Sequence, residues 1–178
     1  LYAEVQTKRT GQVVWIEGEP GSGKSRLLTE FAAQARRGDH PPTFLYGRCS
    51  SFREGRPGHP VRSLLRRWLS LPSPAPAGER ELSMLRATLS PNAADSLALI
   101  LDSTATTRPP ISETQALAEW LTQVATEAPF VVFLDDFNFA GEETLEAIQR
   151  TVERLEGKRL MLVLGLREGM PNRLPAAM

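Results

Sequence analysis

Lys24 and Ser25 close the run Gly18-Glu19-Pro20-Gly21-Ser22-Gly23-Lys24-Ser25, which fits the pattern G-x-x-x-x-G-K-[ST]. The chemistry this spacing offers is phosphate binding. Gly18, Gly21 and Gly23 admit backbone conformations closed to residues with a Cβ. The N–H groups of such a loop can converge on phosphate oxygens at the positive end of a helix. Lys24 is placed to reach the β- and γ-phosphates of a nucleotide, and the Ser25 hydroxyl to ligate Mg²⁺. Ser22 and Arg26 complete the expected binding set. The flanks fit as well: Gln12–Glu17 is a short apolar run that reads as a strand, and residues 26–35 read as a helix.

A second group of reactive residues lies far along the chain. Phe130, Val131, Val132, Phe133 and Leu134 run into Asp135 and Asp136. A carboxylate at the C-terminal end of a buried strand can hold Mg²⁺ through its water shell. This reads as a Walker B element following the Walker A loop, with Asp135 serving the metal and Asp136 orienting or deprotonating the attacking water. Successive strand side chains point to opposite faces, so the two acids cannot share one role unless the strand ends between them. Arg167 directly follows a third apolar run, Leu160–Leu166. In open α/β sheets ligands sit outside the carboxyl ends of the strands, and Ser25, Asp135, Asp136 and Arg167 are all expected at that edge.

The remaining elements must hold these residues in place. Residues 1–10 read as a helix end leading into the first strand, and Thr43–Arg48 as a second strand. Residues 54–60, with two glycines and two prolines, read as a loop carrying a solvated His59. Val61, Leu64, Leu65, Trp68 and Leu69 recur at helical spacing, with Arg62, Arg66 and Arg67 on a solvated basic arc. A stiff proline-rich linker at 72–78 precedes helical patterns at 79–89 and 91–101, the second starting at Ser90-Pro91. After a loop at 104–110, Ser112 and Gln115 form a capping-box signature for a helix bearing Leu117, Trp120, Leu121 and Val124. Leu145, Ile148, Val152 and Leu155 mark a last helix, ended by Gly157. Alternating strands and helices imply an α/β layered fold with a mostly parallel sheet.

Composition narrows the class. The 178 residues carry 21 basic and 21 acidic side chains. That balance argues against a broad nucleic-acid- or membrane-steering surface. Cys49 is the only cysteine, which excludes an internal disulfide; it reads as a small hydrophobe near a strand end. No apolar run approaches membrane-spanning length and no signal peptide is evident, so a cytoplasmic protein without membrane or direct nucleic-acid contact is expected.

At this point the chain resembles a known family: the STAND-class P-loop ATPase domain of the AAA-like lineage, as found in large LuxR-type transcriptional regulators and related multidomain signalling proteins. The matching segments are V-V-W-I-E-G-E-P-G-S-G-K-S-R-L-L (13–28), Y-G-R-C (46–49), H-P-V-R-S-L-L-R (59–66), P-F-V-V-F-L-D-D-F-N-F-A (129–140) and L-V-L-G-L-R-E (162–168). The resemblance implies a P-loop NTPase three-layer sandwich in which the strand ending at Arg167 separates the Walker A and Walker B strands. It implies ATP and Mg²⁺ rather than GTP, in keeping with the lack of an N-K-x-D motif, and a nucleotide-driven switch. Arg167 matches the family's sensor position, where a polar side chain reads the γ-phosphate and contributes to catalysis with Lys24 and Asp136.

The departures from the family also carry expectations. Asn138-Phe139-Ala140-Gly141 stands where the family has His-Trp-Ala-Asp, which alters the local polar network. The second acid is Asp136 rather than a longer Glu, so hydrolysis is expected to be slow. The family's upstream Gly-Arg-Glu segment, final strand and downstream helical domain are not present. Residues 1–178 are therefore read as one truncated ATPase core of a larger protein, with a helical segment at about 61–127. Its expected partners are ATP and ADP, the other domains of that protein, and a second copy in nucleotide-dependent self-association. Two other readings stand beside this one. A P-loop small-molecule kinase would use the helical segment as a substrate lid, with Arg53, Arg56 and Arg108 as loop cations for the transferred phosphate. A nucleotide-independent scaffold would carry a degenerate site, against which the intact Lys24, Ser25 and Asp135 argue.

Overall fold

The computed structural model describes residues 1–49, 59–72, 76–102 and 104–169. Its four strands are β1 (Gln12–Glu17), β2 (Thr43–Arg48), β3 (Phe130–Asp135) and β4 (Leu160–Leu166). They form one all-parallel sheet in the order β1-β4-β3-β2. The strand ending at Arg167 thus lies between the strands that lead into the phosphate-loop signature and the acidic pair. Sequence patterning explains which strands are central. The run 160–166 is buried throughout and 130–134 likewise, as continuous apolar runs require when both faces are covered. The outer strands β1 and β2 contain Gln12, Glu17, Thr43 and Arg48 and are partly exposed.

Helices cover both faces. On one side lie α1 (Tyr2–Lys8) and α2 (Lys24–Ala35), where Leu28 and Phe31 pack with Val131, Phe133, Met161 and Val163. On the other lie α3 (His59–Trp68), α4 (Glu79–Thr88), α5 (Pro91–Leu101), α6 (Glu113–Glu127) and α7 (Glu142–Val152). There Leu64, Leu65, Leu117, Trp120 and Leu121 join Val132, Leu134, Leu162 and Leu164 in one continuous core. The fully buried Trp120 ring lies 5.8 Å from the Trp68 ring, tying α6 to α3.

Local chemistry sets the helix ends, and several differ from expectation. The α6 cap is half of the predicted box: Ser112 Oγ accepts from the Gln115 N–H at 3.2 Å. The reciprocal bond occurs instead at α4, where the Gly78 N–H donates to Glu81 Oε2 at 3.0 Å. The 54–60 loop is shorter than expected, because His59 and Pro60 already belong to α3. Proline costs nothing in a first helical turn, whose N–H groups lack intrahelical acceptors. The rest of that loop, with Arg56, and the preceding Arg53 lie outside the described residues, as does part of the 72–78 linker. Helix α7 ends at Val152, before Gly157. Leu155 lies past the helix and stays buried, its carbonyl accepting from the Gly11 N–H at 3.0 Å.

The basic arc of α3 is not a solvated face. Arg62 makes a two-pronged pair with Glu113 at the start of α6, its Nη2 reaching Oε2 at 2.9 Å, with both side chains about one-fifth exposed. Arg66 donates to the Leu101 and Pro72 carbonyls. Only Arg67 of the three is exposed. Among the described residues no helix is long and apolar enough to cross a membrane.

Trp120→Ala is expected to destabilise the protein by about 3–5 kcal/mol, the usual range for emptying a large aromatic site. Leu27→Ala, at a position that is mostly exposed, should change stability by less than about 0.5 kcal/mol. Urea denaturation followed by circular dichroism separates the two outcomes.

Candidate functional site

The loop from Gly18 to Gly23 joins β1 directly to α2, whose first residue is Lys24. Gly21 and Gly23 have φ of 85° and 95°, in the left-handed region that a Cβ disfavours. At Gly18 a Cβ would lie 2.7 Å from Ser22 Oγ, so the exposed serine side chain would have to turn away. Lys24 Nζ donates to the carbonyls of Gly18 at 2.6 Å and Glu19 at 3.1 Å, folding the ammonium over its own loop. The Gly18 N–H donates to the Leu166 carbonyl, which ties the loop to the end of β4. Ser22, Ser25 and Arg26 are exposed around this turn.

Across β4 stands the acidic pair, and β3 does end between its two members. Asp135 is the last strand residue. Asp136 has φ 53° and ψ 38° and precedes a short 3-10 turn, Phe137–Phe139. A left-handed non-glycine residue costs free energy and persists only where its surroundings fix it. Here the surroundings are two arginines. Arg167 donates from Nε to Asp136 Oδ1 at 2.9 Å and from Nη2 to Oδ2 at 3.2 Å. Arg48, the last residue of β2, donates from Nε and Nη2 to Oδ2 at 3.0 and 2.9 Å. Arg48 is 64% exposed and Arg167 34%, so water screens the Arg48 pair more strongly. The Arg167 bonds are accordingly the main cause holding the Asp136 carboxyl below the usual aspartate range; burial opposes them, and Arg48 adds to them.

The turn after Asp136 completes the setting of Arg167. Its N–H donates to Asn138 Oδ1 at 2.7 Å, and its guanidinium lies 4.9 Å from the centre of the Phe139 ring. The departure Asn138-Phe139 is thus a working part of the network.

Asp135 is held differently. Its Oδ1 accepts the Asp136 N–H at 2.9 Å, and its Oδ2 accepts the Tyr46 hydroxyl at 3.1 Å. Neither donor is charged. A Cβ on Gly165 would lie 3.0 Å from Asp135 Oδ1, so that glycine leaves room for the carboxylate beside β4. The donor chemistry fits a hard divalent cation: a strand-end carboxylate that makes no direct ion pair among the described residues, and a helix-start hydroxyl at Ser25. Cys49 is buried, its thiol pushed up to about 12 chiefly by burial, which leaves it an inert hydrophobe.

The predicted residues therefore share one sheet edge. Lys24, Ser25 and the loop glycines stand at the β1 end, Arg167 at the β4 end, and Asp135 and Asp136 at the β3 end. Arg108 lies in the loop between α5 and α6, exposed. Tyr46 and Arg48 belong to the site as well, beyond the residues expected there. The available signals are their place at the carboxyl end of a strand and their membership of the matching Y-G-R-C segment.

Asp136 gives the site a pH signature. Because its folded-state pKa is depressed, its stabilising contribution is complete above the unfolded value, about 3.9, and is lost as pH falls through that value and below. Asp136→Asn removes this term. The difference in urea midpoint between wild type and Asp136→Asn should therefore change progressively below about pH 5 and stay constant above it. A pH-independent difference would contradict the two-arginine clamp.

The family model for the AAA ATPase domain matches residues 1–163, a span that takes in the phosphate loop and both acids and stops short of Arg167. No curated protein matches the chain. Coverage of this extent, on a parallel sheet of this strand order, means that the chain belongs to the AAA ATPase domain family and is a nucleotide-binding ATPase module.

Proposed function

We propose that this domain is an ATP-binding, slowly hydrolysing switch within a multidomain signalling or transcriptional regulator of the STAND class. The observation that carries the reading is the shared carboxylate: Arg167, at the end of the strand beside the phosphate loop, is bonded to Asp136. A γ-phosphate is a competing anion for that guanidinium. ATP and ADP then differ in whether Arg167 leaves Asp136, and such differential interaction is what a nucleotide switch requires.

The other residues take roles consistent with their places. Lys24 exchanges the Gly18 and Glu19 carbonyls for β- and γ-phosphate oxygens, while the loop N–H groups and the start of α2 receive the remaining phosphate charge. Ser25 and Asp135 hold Mg²⁺, which supplies neutralisation of phosphate charge when bound. Asp136 orients the attacking water. As long as two arginines hold it, its depressed pKa makes it a weak base, which supports slow turnover. Gly18, Gly21, Ser22, Gly23 and Arg26 line the phosphate side. The larger protein, its other domains and nucleotide-dependent self-association belong to this proposal.

Three variants test it. Lys24→Ala should weaken binding of fluorescent ATP by about tenfold or more, the value of a charge-assisted contact. Asp136→Asn should keep Mg-ATP binding and lose turnover in a phosphate-release assay. Arg167→Ala should lower calorimetric affinity for a non-hydrolysable ATP analogue by about 1–3 kcal/mol and leave ADP almost unchanged. Equal losses for both nucleotides would remove the switch.

A further inference from the structure

Edge strand β2 sends two side chains, Tyr46 and Arg48, from one face toward the acidic pair. Strand alternation puts residues two apart on the same face. The register places Tyr46 opposite Phe133 and Arg48 opposite Asp135. Tyr46 is therefore the diagonal neighbour of Asp135, a distance that only a long or aromatic side chain spans. Its ring leans on Phe133 with centroids 5.3 Å apart, and its hydroxyl donates to Asp135 Oδ2 at 3.1 Å.

We infer that Tyr46 is a positioning residue for the metal-side carboxylate, fixing the rotation of the Asp135 carboxyl group. The inference rests on the proposed metal role of Asp135 and adds a residue to it. Three contacts on the carboxylate support it. The Asp136 N–H restrains Oδ1 and the Tyr46 hydroxyl restrains Oδ2, while Gly165 provides the space into which the group settles. Both donors are neutral. They orient the carboxylate through neutral hydrogen bonds, whereas Asp136 is bonded directly to two arginines. A metal-bound carboxylate needs orientation with its charge intact, and donors to a metal ligand tune affinity in this way.

Tyr46→Phe tests this, because it keeps the ring against Phe133 and deletes only the hydroxyl. Binding of a fluorescent ATP analogue is measured while Mg²⁺ is titrated, and again in excess chelator. The inference expects the Mg²⁺ concentration at half-effect to rise by about three- to tenfold, a net hydrogen bond's worth, with affinity in chelator unchanged. A purely structural role for Tyr46 would alter both conditions equally and would overturn it. Asp135→Asn is the control. If it shifts the Mg²⁺ dependence and Tyr46→Phe does not, the positioning role is refuted and the metal role survives. If neither variant shifts it, the metal role of Asp135 falls and the inference falls with it. Thermal unfolding of Tyr46→Phe near the wild-type midpoint establishes that the comparison is between folded proteins.

Discussion

One carboxylate, that of Asp136, connects three of the four strands at the working edge of the sheet. It belongs to the turn after β3, and it is bonded to the residue after β4 and to the last residue of β2. The arrangement depends on the backbone turning left-handed at Asp136. In an extended continuation, consecutive acids would face opposite sides of the sheet. The turn brings both to one edge with different neighbours. Asp136 receives two cations and Asp135 two neutral donors, so adjacent residues of identical chemistry acquire different electrostatic characters. Asn138 and Phe139 follow from the same turn, because the 3-10 segment it starts carries them to Arg167.

The sheet turns this local arrangement into a relation between distant segments. β4 is buried on both faces and hydrogen-bonded on both edges. Its end is held to the phosphate loop through Gly18 and to the acidic turn through Arg167. The end of this one strand thereby adjoins both the phosphate loop and the acidic turn. Behind the edge, the helices at residues 59–127 add a large apolar mass to one face. The Arg62–Glu113 pair joins α3 to α6 there, and removing either partner would leave a charge poorly solvated.

Much of this was legible from residue order, and what was not has physical reasons. The runs 43–48 and 160–166 are bounded by Gly, Pro or charged residues, and they form strands over those spans. The pairs 79–88 and 91–101 announce themselves by period and by Ser90-Pro91. Strand order came from family resemblance, since apolar patterning does not say which strands are neighbours. Helical periodicity shows which arc of α3 is polar, not which neighbour covers it, so Arg62 and Arg66 read as solvated. Tyr46 and Arg48 act across strands, and a diagonal contact depends on register, which no single segment encodes. The phosphate loop was the most readable part of the site because its chemistry is contiguous. The acidic pair was readable as a pair, while its division of labour depends on a backbone turn and on partners nearly ninety residues upstream.

The strand order has a consequence for how the chain is made. Among the described residues β1 has only β4 as a neighbour, and their pairing joins Gln12 to Met161. The second strand meets its partner sooner, at Phe130–Asp135, with the intervening helices able to collapse locally. During N-to-C synthesis the phosphate loop therefore emerges well before β4, the strand that its own strand pairs with among the described residues. Parallel pairing over such a separation is intrinsically slow, since loop closure precedes any compensating contact. Until then the apolar run Val13-Val14-Trp15-Ile16 stands as an unpaired strand, the kind of segment that chaperones shield. The same placement that puts the loop beside a central strand also separates its strand from that partner by most of the described chain.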